Sequence, residues 1–142
     1  MKNTLKIIAT ASLLASFAAS AATGWVSDKG VIGTPPVVKG DITSVATFEK
    51  EDGKLVFSVM MASKNKNDTV GSDIIEVDAP IMVNGKNIIM KAEAVGQIKS
   101  YNPKTEQGTQ YILNEFKTKD GVVIENITYP TKSFNQAFKA LK

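Results

Sequence analysis

Apolar and polar side chains alternate with a period of two through the middle of this sequence, which favours strands over helices. Residues 42–48 alternate, Glu51-Asp52-Gly53 supplies a turn, and residues 55–61 alternate back, which is the pattern of a β-hairpin. The second face of the return strand is nearly as apolar as the first, so this strand is predicted to be central. Its core-facing row is Leu55, Phe57, Val59 and Met61.

Further strand patterns are separated by turn residues along the rest of the chain. Asn84-Gly85 is the strongest two-residue hairpin signal, Gly96 suggests a bulge, and Lys119-Asp120-Gly121 is a third turn. The predicted strands beyond the first hairpin are 74–77, 81–83, 88–94, 97–101, 109–118 and 122–129. We therefore expect a mainly β fold, an antiparallel immunoglobulin-like sandwich or sheet of about seven to eight strands.

A short helix is predicted at the C-terminal end of the sequence. Ser133 and Gln136 fit a capping box, in which each side chain bonds to a backbone amide of the first turn. Four apolar residues then recur at helical spacing and would form one stripe against the sheet. These residues are Phe134, Ala137, Phe138 and Leu141.

The first residues have the order of a secretory signal peptide. Lys2 and Lys6 precede the apolar stretch 7–19, and Ala19-Ser20-Ala21 fits a cleavage site. We expect residues 1–21 to be removed and the protein to be exported to the periplasm, the cell surface or the medium. The mature chain contains no further apolar run of the ~20 residues that a membrane helix needs. Residues 40–142 are expected to form a single β-rich domain.

Residues 22–39 differ in composition from the rest and are predicted to form a flexible N-terminal arm. They are rich in Gly, Pro, Ser, Thr and Val, and Pro35-Pro36 is incompatible with a regular central strand. Apolar side chains on such an arm would mark an interaction site. The predicted partner-binding residues are Trp25, Val26, Val31, Ile32, Val37 and Val38.

The chain has neither His nor Cys, and this absence argues against an enzyme. It removes Ser-His-Asp and Cys-His catalytic sets and any metal site built on imidazole or thiolate ligands. We expect no catalytic residues, no metal and no cofactor. The 17 basic residues are all lysines, and without Lys2 and Lys6 the remaining 15 nearly balance 14 acids. A nucleic-acid partner is therefore not expected.

One segment resembles the middle of disulfide-free chaperone–usher fimbrial subunits. In residues 79–88, Ala79-Pro80 is followed by the hydrophobic run Ile81-Met82-Val83 and the turn Asn84-Gly85. The resemblance implies an incomplete immunoglobulin-like sandwich, completed by a strand from a neighbouring subunit, with residues 22–39 as the donor. It implies a structural or adhesive pilus subunit whose partners are neighbouring subunits, another surface protein and an assembly chaperone.

Two other functions remain open from the residues alone. A small periplasmic or secreted binding or inhibitor protein would enclose an apolar pocket between sheet and helix, lined by Met60, Met61, Met82 and Met90. A carboxylate-based hydrolase would need two convergent acids, and Glu76 and Asp78 lie on one face of a predicted strand without an evident cleft.

Overall fold

The computed structural model of the protein describes residues 24–66, 71 and 73–141, and the predicted signal peptide lies outside these residues. Most of the described chain is β-structure, as predicted. The strands are β1 (Val26–Asp28), β2 (Val31–Gly33), β3 (Val37–Lys39), β4 (Ile42–Glu51), β5 (Lys54–Ser63), β6 (Ile75–Val83), β7 (Lys86–Val95), β8 (Ile98–Pro103), β9 (Gly121–Ile124) and β10 (Ile127–Pro130), and the helices are α1 (Glu106–Thr118) and α2 (Phe134–Lys139).

The strands form one antiparallel sheet that curls into a half-barrel. Their order is β1-β2-β4-β5-β8-β7-β6-β9-β10, and β3 pairs with the other half of β4. The prediction of an antiparallel sheet is confirmed. The described residues form a single layer of ten strands, without the second, facing sheet of an immunoglobulin-like sandwich. Curvature lets one sheet bury its own inner face, so a second sheet is not needed to build a core.

The predicted hairpin of β4 and β5 lies at the centre of the core. Phe48 is the direct partner of Phe57, and Ala46 is the partner of Val59. Phe57 and Val59 are fully buried, while Leu55 and Met61 at the ends of the row are half-buried against the core. The predicted core-facing row of a central strand is therefore confirmed.

Residues 109–118 form most of helix α1, and the prediction of a strand there was wrong. The Thr105 side chain accepts a hydrogen bond from the Gly108 amide and caps the first turn. The buried residues Thr109, Ile112, Leu113 and Phe116 follow the i, i+3, i+4, i+7 spacing of a helix face. The helix packs this face on the inner side of the sheet, in contact with β5, β8 and β9.

Three turns show how the chain reverses between strands. Asn84 and Gly85 both have positive φ, and the predicted hairpin joins β6 to β7. Gly96, predicted as a bulge, instead lies in a turn that reverses the chain, because Val95 pairs directly with Ile98. The last hairpin turns at Glu125-Asn126, both with positive φ, and not at residues 119–121, which follow α1.

The N-terminal segment is part of the sheet from β1 onward, which differs from the expected flexible arm. Ile32 pairs with Phe48, and Val37 pairs with Ser44, so β2 and β3 extend the same inner face. Pro35-Pro36 lies between β2 and β3, where a proline removes no ladder hydrogen bond. The boundary predicted at residue 40 therefore does not separate this segment from the domain.

Helix α2 confirms the predicted C-terminal helix and its apolar stripe. Phe134, Ala137 and Leu141 are buried in the core, and Phe138 packs against it. Ser133 precedes the helix with φ 63° and makes no side-chain capping bond, so the predicted capping box is not formed.

Candidate functional site

The six residues predicted to bind a partner do not form one surface. Trp25 is 3% exposed, Ile32 is fully buried and Val31 is buried, whereas Val26 and Val37 are half-buried. Val38 alone of the six is largely exposed, at 65%. Whether these residues contact a partner stays a prediction, but their burial in this fold assigns most of them to the core.

Trp25 links the N-terminal segment to the C-terminal end of the described chain. Its indole Nε1 donates to the Pro130 carbonyl at 2.7 Å, and its backbone amide donates to the Lys132 carbonyl at 2.9 Å. The indole stacks on Phe134 with ring centroids 4.7 Å apart. A sequence cannot show this contact, because the two partners are about a hundred positions apart.

The inner face of the sheet has two halves of different character. In one half, α1 and α2 cover Phe48, Phe57 and Met90 and complete a close-packed aromatic cluster. The other half is an open groove of about 830 Å³. Its lining residues are Lys39, Ile42, Met61, Ser63, Ile75, Val77, Ala79, Ile81, Ala92, Glu93, Ala94, Gln97, Lys99, Tyr101, Glu125, Asn126 and Ile127.

The floor of the groove is built from inward-facing rows across β5, β8, β7 and β6. In one row Val59, Tyr101, Ala92 and Val77 are successive cross-strand partners. In the next row Met61, Lys99, Ala94 and Ile75 are partners in the same way. The alanines leave room between larger neighbours, which is why the sheet is hollow here.

Ile75 and Val77 keep 47% and 53% of their surface exposed although both face into the groove. Large apolar side chains in a concave, open site are the usual lining of a ligand pocket. The neighbouring Ile81 and Ile127 are buried and close the floor toward the core.

A buried polar contact joins β4 to β10 in the interior of the sheet. The Ser44 hydroxyl donates to the Met60 carbonyl at 2.8 Å, so its oxygen accepts the hydroxyl of Tyr129. Tyr129 is fully buried, and this burial raises the pKa of its phenol. The pair satisfies two hydroxyls that would otherwise be buried without partners.

Most polar side chains at the rim of the groove are tied to the backbone. The Lys39 ammonium donates to the Asn126 carbonyl, and a Glu125 carboxylate oxygen accepts from the Met82 amide at 3.2 Å. Gln97 donates its side-chain amide to the Ser63 carbonyl at 2.9 Å. Burial, and secondly the charge of Glu125, raises the pKa of Tyr101, which keeps this phenol neutral.

The remaining carboxylates do not form a reactive pair in the groove. The backbone of Glu93 borders the groove between Ala92 and Ala94, but strand alternation places its carboxylate on the opposite side of the sheet, 3.8 Å from the Lys91 ammonium. Asp78 forms an ion pair with Lys104 at 2.6 Å. In the described part of the chain, His, Cys, Asp and Glu side chains nowhere group in threes that could hold a metal ion.

The outer edge of β6 borders the groove. Pairing across the Asn84-Gly85 turn directs the backbone groups of Ile75, Val77, Ala79, Ile81 and Val83 toward β7. The backbone groups of the intervening residues therefore point away from β7, toward the free edge. Met82 shows this, because its amide and carbonyl bond to Glu125. Pro80 fits this edge because it has no N–H to donate.

Helices long and apolar enough to cross a membrane are not found in residues 24–66, 71 and 73–141. No protein-family model matches the chain, and searches of curated proteins and of solved structures likewise found no match.

Proposed function

We propose that this protein is a binding protein whose open groove takes an elongated apolar ligand. The observation that carries the proposal is the exposure of Ile75 and Val77 on the inner face of a groove of about 830 Å³. Pockets of this size and lining hold small molecules, and covering these two side chains would remove apolar surface from water. This is the alternative function considered from the sequence, with the methionine lining reduced to Met61.

Binding is favoured over catalysis by the kind of groups in the groove. Its walls combine aliphatic side chains with lysines, Glu125 and the neutral phenol of Tyr101. General acid–base work needs two groups with pKa values near the operating pH, and the chain has no histidine to supply one. The polar groups instead lie at the rim and, for Lys99 and Tyr101, in the floor rows, where they orient a ligand.

The test is a titration of the purified protein with Nile red, a neutral dye that fluoresces in apolar surroundings. We expect saturable binding to the parent protein and a loss of at least about tenfold in Val77→Asp, because a carboxylate would be desolvated by the dye. Ile89→Asp is the matched control, since Ile89 is similarly exposed, at 50%, but lies on the other face of the sheet. Equal binding by both variants would contradict the groove as the site.

A second candidate is assembly by strand addition, as in a fimbrial-type structural or adhesive subunit. The specific observation is the outer edge of β6, where the backbone groups of Asp78 and the carbonyl of Pro80 face outward beside the groove. A partner strand could bond to this edge while Ile75 and Val77 received its alternate side chains. The donor would be a neighbouring subunit, a surface protein or an assembly chaperone, because β1–β3 already pair within this chain.

Two substitutions of Asp78 test whether its backbone N–H, and not its side chain, is needed for strand addition. Asp78→Pro removes the outward N–H, whereas Asp78→Ala keeps it, and both lose the ion pair with Lys104. If strand addition operates, Asp78→Ala assembles normally and Asp78→Pro does not, as measured by sedimentation velocity. This candidate would be ruled out if the parent protein stayed monomeric at all concentrations, both alone and when mixed with an extract of surface proteins from the cells that produce it.

Export to the periplasm, the cell surface or the medium is proposed with either function and is supported by the order of charge, apolar stretch and small residues at the N-terminus. N-terminal sequencing of material from the exported fraction should begin within about two residues of Ala22. Recovery of chains that still contain residues 7–14 would contradict it.

A further inference from the structure

Lys99 is a cation placed inside the apolar part of the groove. It lies on the inward-facing row between Met61 and Ala94, and Ile75 is the next partner in that row. Lysine is disfavoured among apolar groove residues unless its ammonium reaches water or an anion. Lys99 is exposed, so its stem lies along the groove floor while its ammonium reaches water, where a ligand that enters the groove can meet it.

The other charged side chains that face the groove already have partners. Lys39 donates to the Asn126 carbonyl, and Glu125 accepts from the Met82 amide. The Lys99 ammonium makes neither a hydrogen bond nor an ion pair with any residue in the described ranges. Because the Glu93 carboxylate lies on the other face of the sheet, the charged side chains inside the groove are Lys39, Lys99 and Glu125. Their sum is positive, and Lys99 is the cation that remains available for pairing.

We infer that the ligand is a single-chain amphiphile with a carboxylate head. This inference rests on the proposed binding function and specifies the ligand of the same groove. The carboxylate pairs with the Lys99 ammonium, and the alkyl chain lies along Met61, Ala92 and Val77 toward the buried Ile81. The occupant is a free monomer in solution, because the groove is concave and takes a chain lengthwise, whereas a membrane surface would meet only its rim.

Charge complementarity separates this ligand from others of the same shape. A neutral head would form no ion pair with the Lys99 ammonium, and an amine head would be repelled by it. Tyr101 lies in the row beyond that of Lys99, and the charge of Glu125 acts on its phenol. An anionic head is therefore stabilised at Lys99 and disfavoured farther along the groove, which fixes the direction of the chain.

The experiment compares dodecanoate, dodecanol and dodecylamine as competitors of bound Nile red, all below their micellar concentrations. For the parent protein we expect dodecanoate to displace the dye at concentrations at least about fivefold lower than dodecanol, the ratio that an ion pair of moderate strength gives. Dodecylamine should be the weakest competitor. Raising the salt concentration should weaken dodecanoate and leave dodecanol unchanged.

Lys99→Met keeps the apolar stem and removes the charge, so dodecanoate should lose its advantage while dodecanol displaces the dye as before. Lys54→Met, on the far hairpin, is the control and should behave as the parent. If Lys99→Met does not fold by circular dichroism, Lys99→Gln replaces it with the same expected outcome.

Each outcome addresses one level of the proposal. If dodecanoate and dodecanol compete equally in the parent protein, the head-group inference is wrong and the groove remains a binding site. If Lys99→Met keeps the preference for dodecanoate, Lys99 is not the recognising residue. If Nile red and the three amphiphiles all fail to bind, the proposed function itself is contradicted.

Discussion

Aromatic side chains from distant parts of the chain converge on Phe57. Its ring centroid lies 4.8 Å from that of Phe48 and 5.9 Å from that of Phe116, which α1 supplies. Aromatic pairs at such separations stabilise a core beyond the area that they bury. Phe57 therefore joins the predicted hairpin to the helix that the sequence pattern did not reveal.

Phe57→Ala should lower the free energy of unfolding by about 3–5 kcal/mol, because the fully buried ring leaves a cavity between two aromatic neighbours. Urea denaturation measures the loss. Val56→Ala is the control, since Val56 is half-buried on the other face of β5 and should lose far less. Equal denaturation midpoints for Phe57→Ala and the parent would show that the cluster does not support the fold.

The raised pKa of Tyr129 makes the fold less stable as the pH rises above 10. Burial raises the pKa of its phenol above the unfolded value of 10.0, so between pH 10 and the folded pKa the unfolded chain releases a proton that the folded chain keeps. The stabilisation is complete below pH 10 and is lost as the pH rises. For one proton the free energy of unfolding falls by about 1.4 kcal/mol per pH unit.

Tyr129→Phe should lower stability at pH 7 by about 1 kcal/mol, because the bond to Ser44 is lost, and should flatten the decline above pH 10. Urea denaturation at pH 7, 10 and 11 tests both effects. Parallel declines for the variant and the parent would mean that Tyr129 ionises freely in the folded protein.

At the scale of elements, alternation predicted β4 and β5 well but failed for α1. Tyr111, Leu113 and the neighbouring polar residues alternate over a few positions, which is also compatible with part of a helix. The longer set Thr109, Ile112, Leu113 and Phe116, preceded by the cap Thr105, distinguishes the helix. Short apolar runs are ambiguous between the two periods, and here capping and length carry the deciding signal.

Thr105→Ala should destabilise the protein by about 1 kcal/mol, because the amide of Gly108 loses its capping oxygen. Ser133→Ala is the matched control at the start of α2, where Ser133 forms no capping bond and its replacement should cost little. Thermal unfolding of the two variants measures the difference. A larger loss for Ser133→Ala would contradict this assignment of the caps.

In the described part of the chain, the molecule is a curled sheet, and α1 and α2 cover one half of its inner face. Sequence alternation identifies the two faces of each strand, but it does not show which face curves inward or how far a helix covers it. Ala79, Ala92 and Ala94 were the available signal for the groove, because small residues recur at inward positions of β6 and β7. These alanines indicate a groove only once the position of β8 is known. The chain reverses at Gly96, and this turn places Lys99 and Tyr101 of β8 beside Ala94 and Ala92.

The burial of Trp25 and Ile32 also depends on the whole molecule. An apolar, proline-containing segment is equally compatible with a free arm and with an edge of the sheet, and the deciding contacts come from Phe48, Phe134 and Pro130. These partners are separated from the segment by up to about a hundred residues. The sequence pattern therefore identified apolar residues but not what they contact.

Methyl-resolved NMR of the protein titrated with dodecanoate is the most direct test that the open half of the sheet is the binding site. The methyl groups of Met61, Ile75 and Val77 should shift on binding, while those of Ile89, Met82 and Val123 outside the groove should stay unchanged. Shifts confined to the methyl groups outside the groove, with Ile75 and Val77 unaffected at saturation, would contradict it.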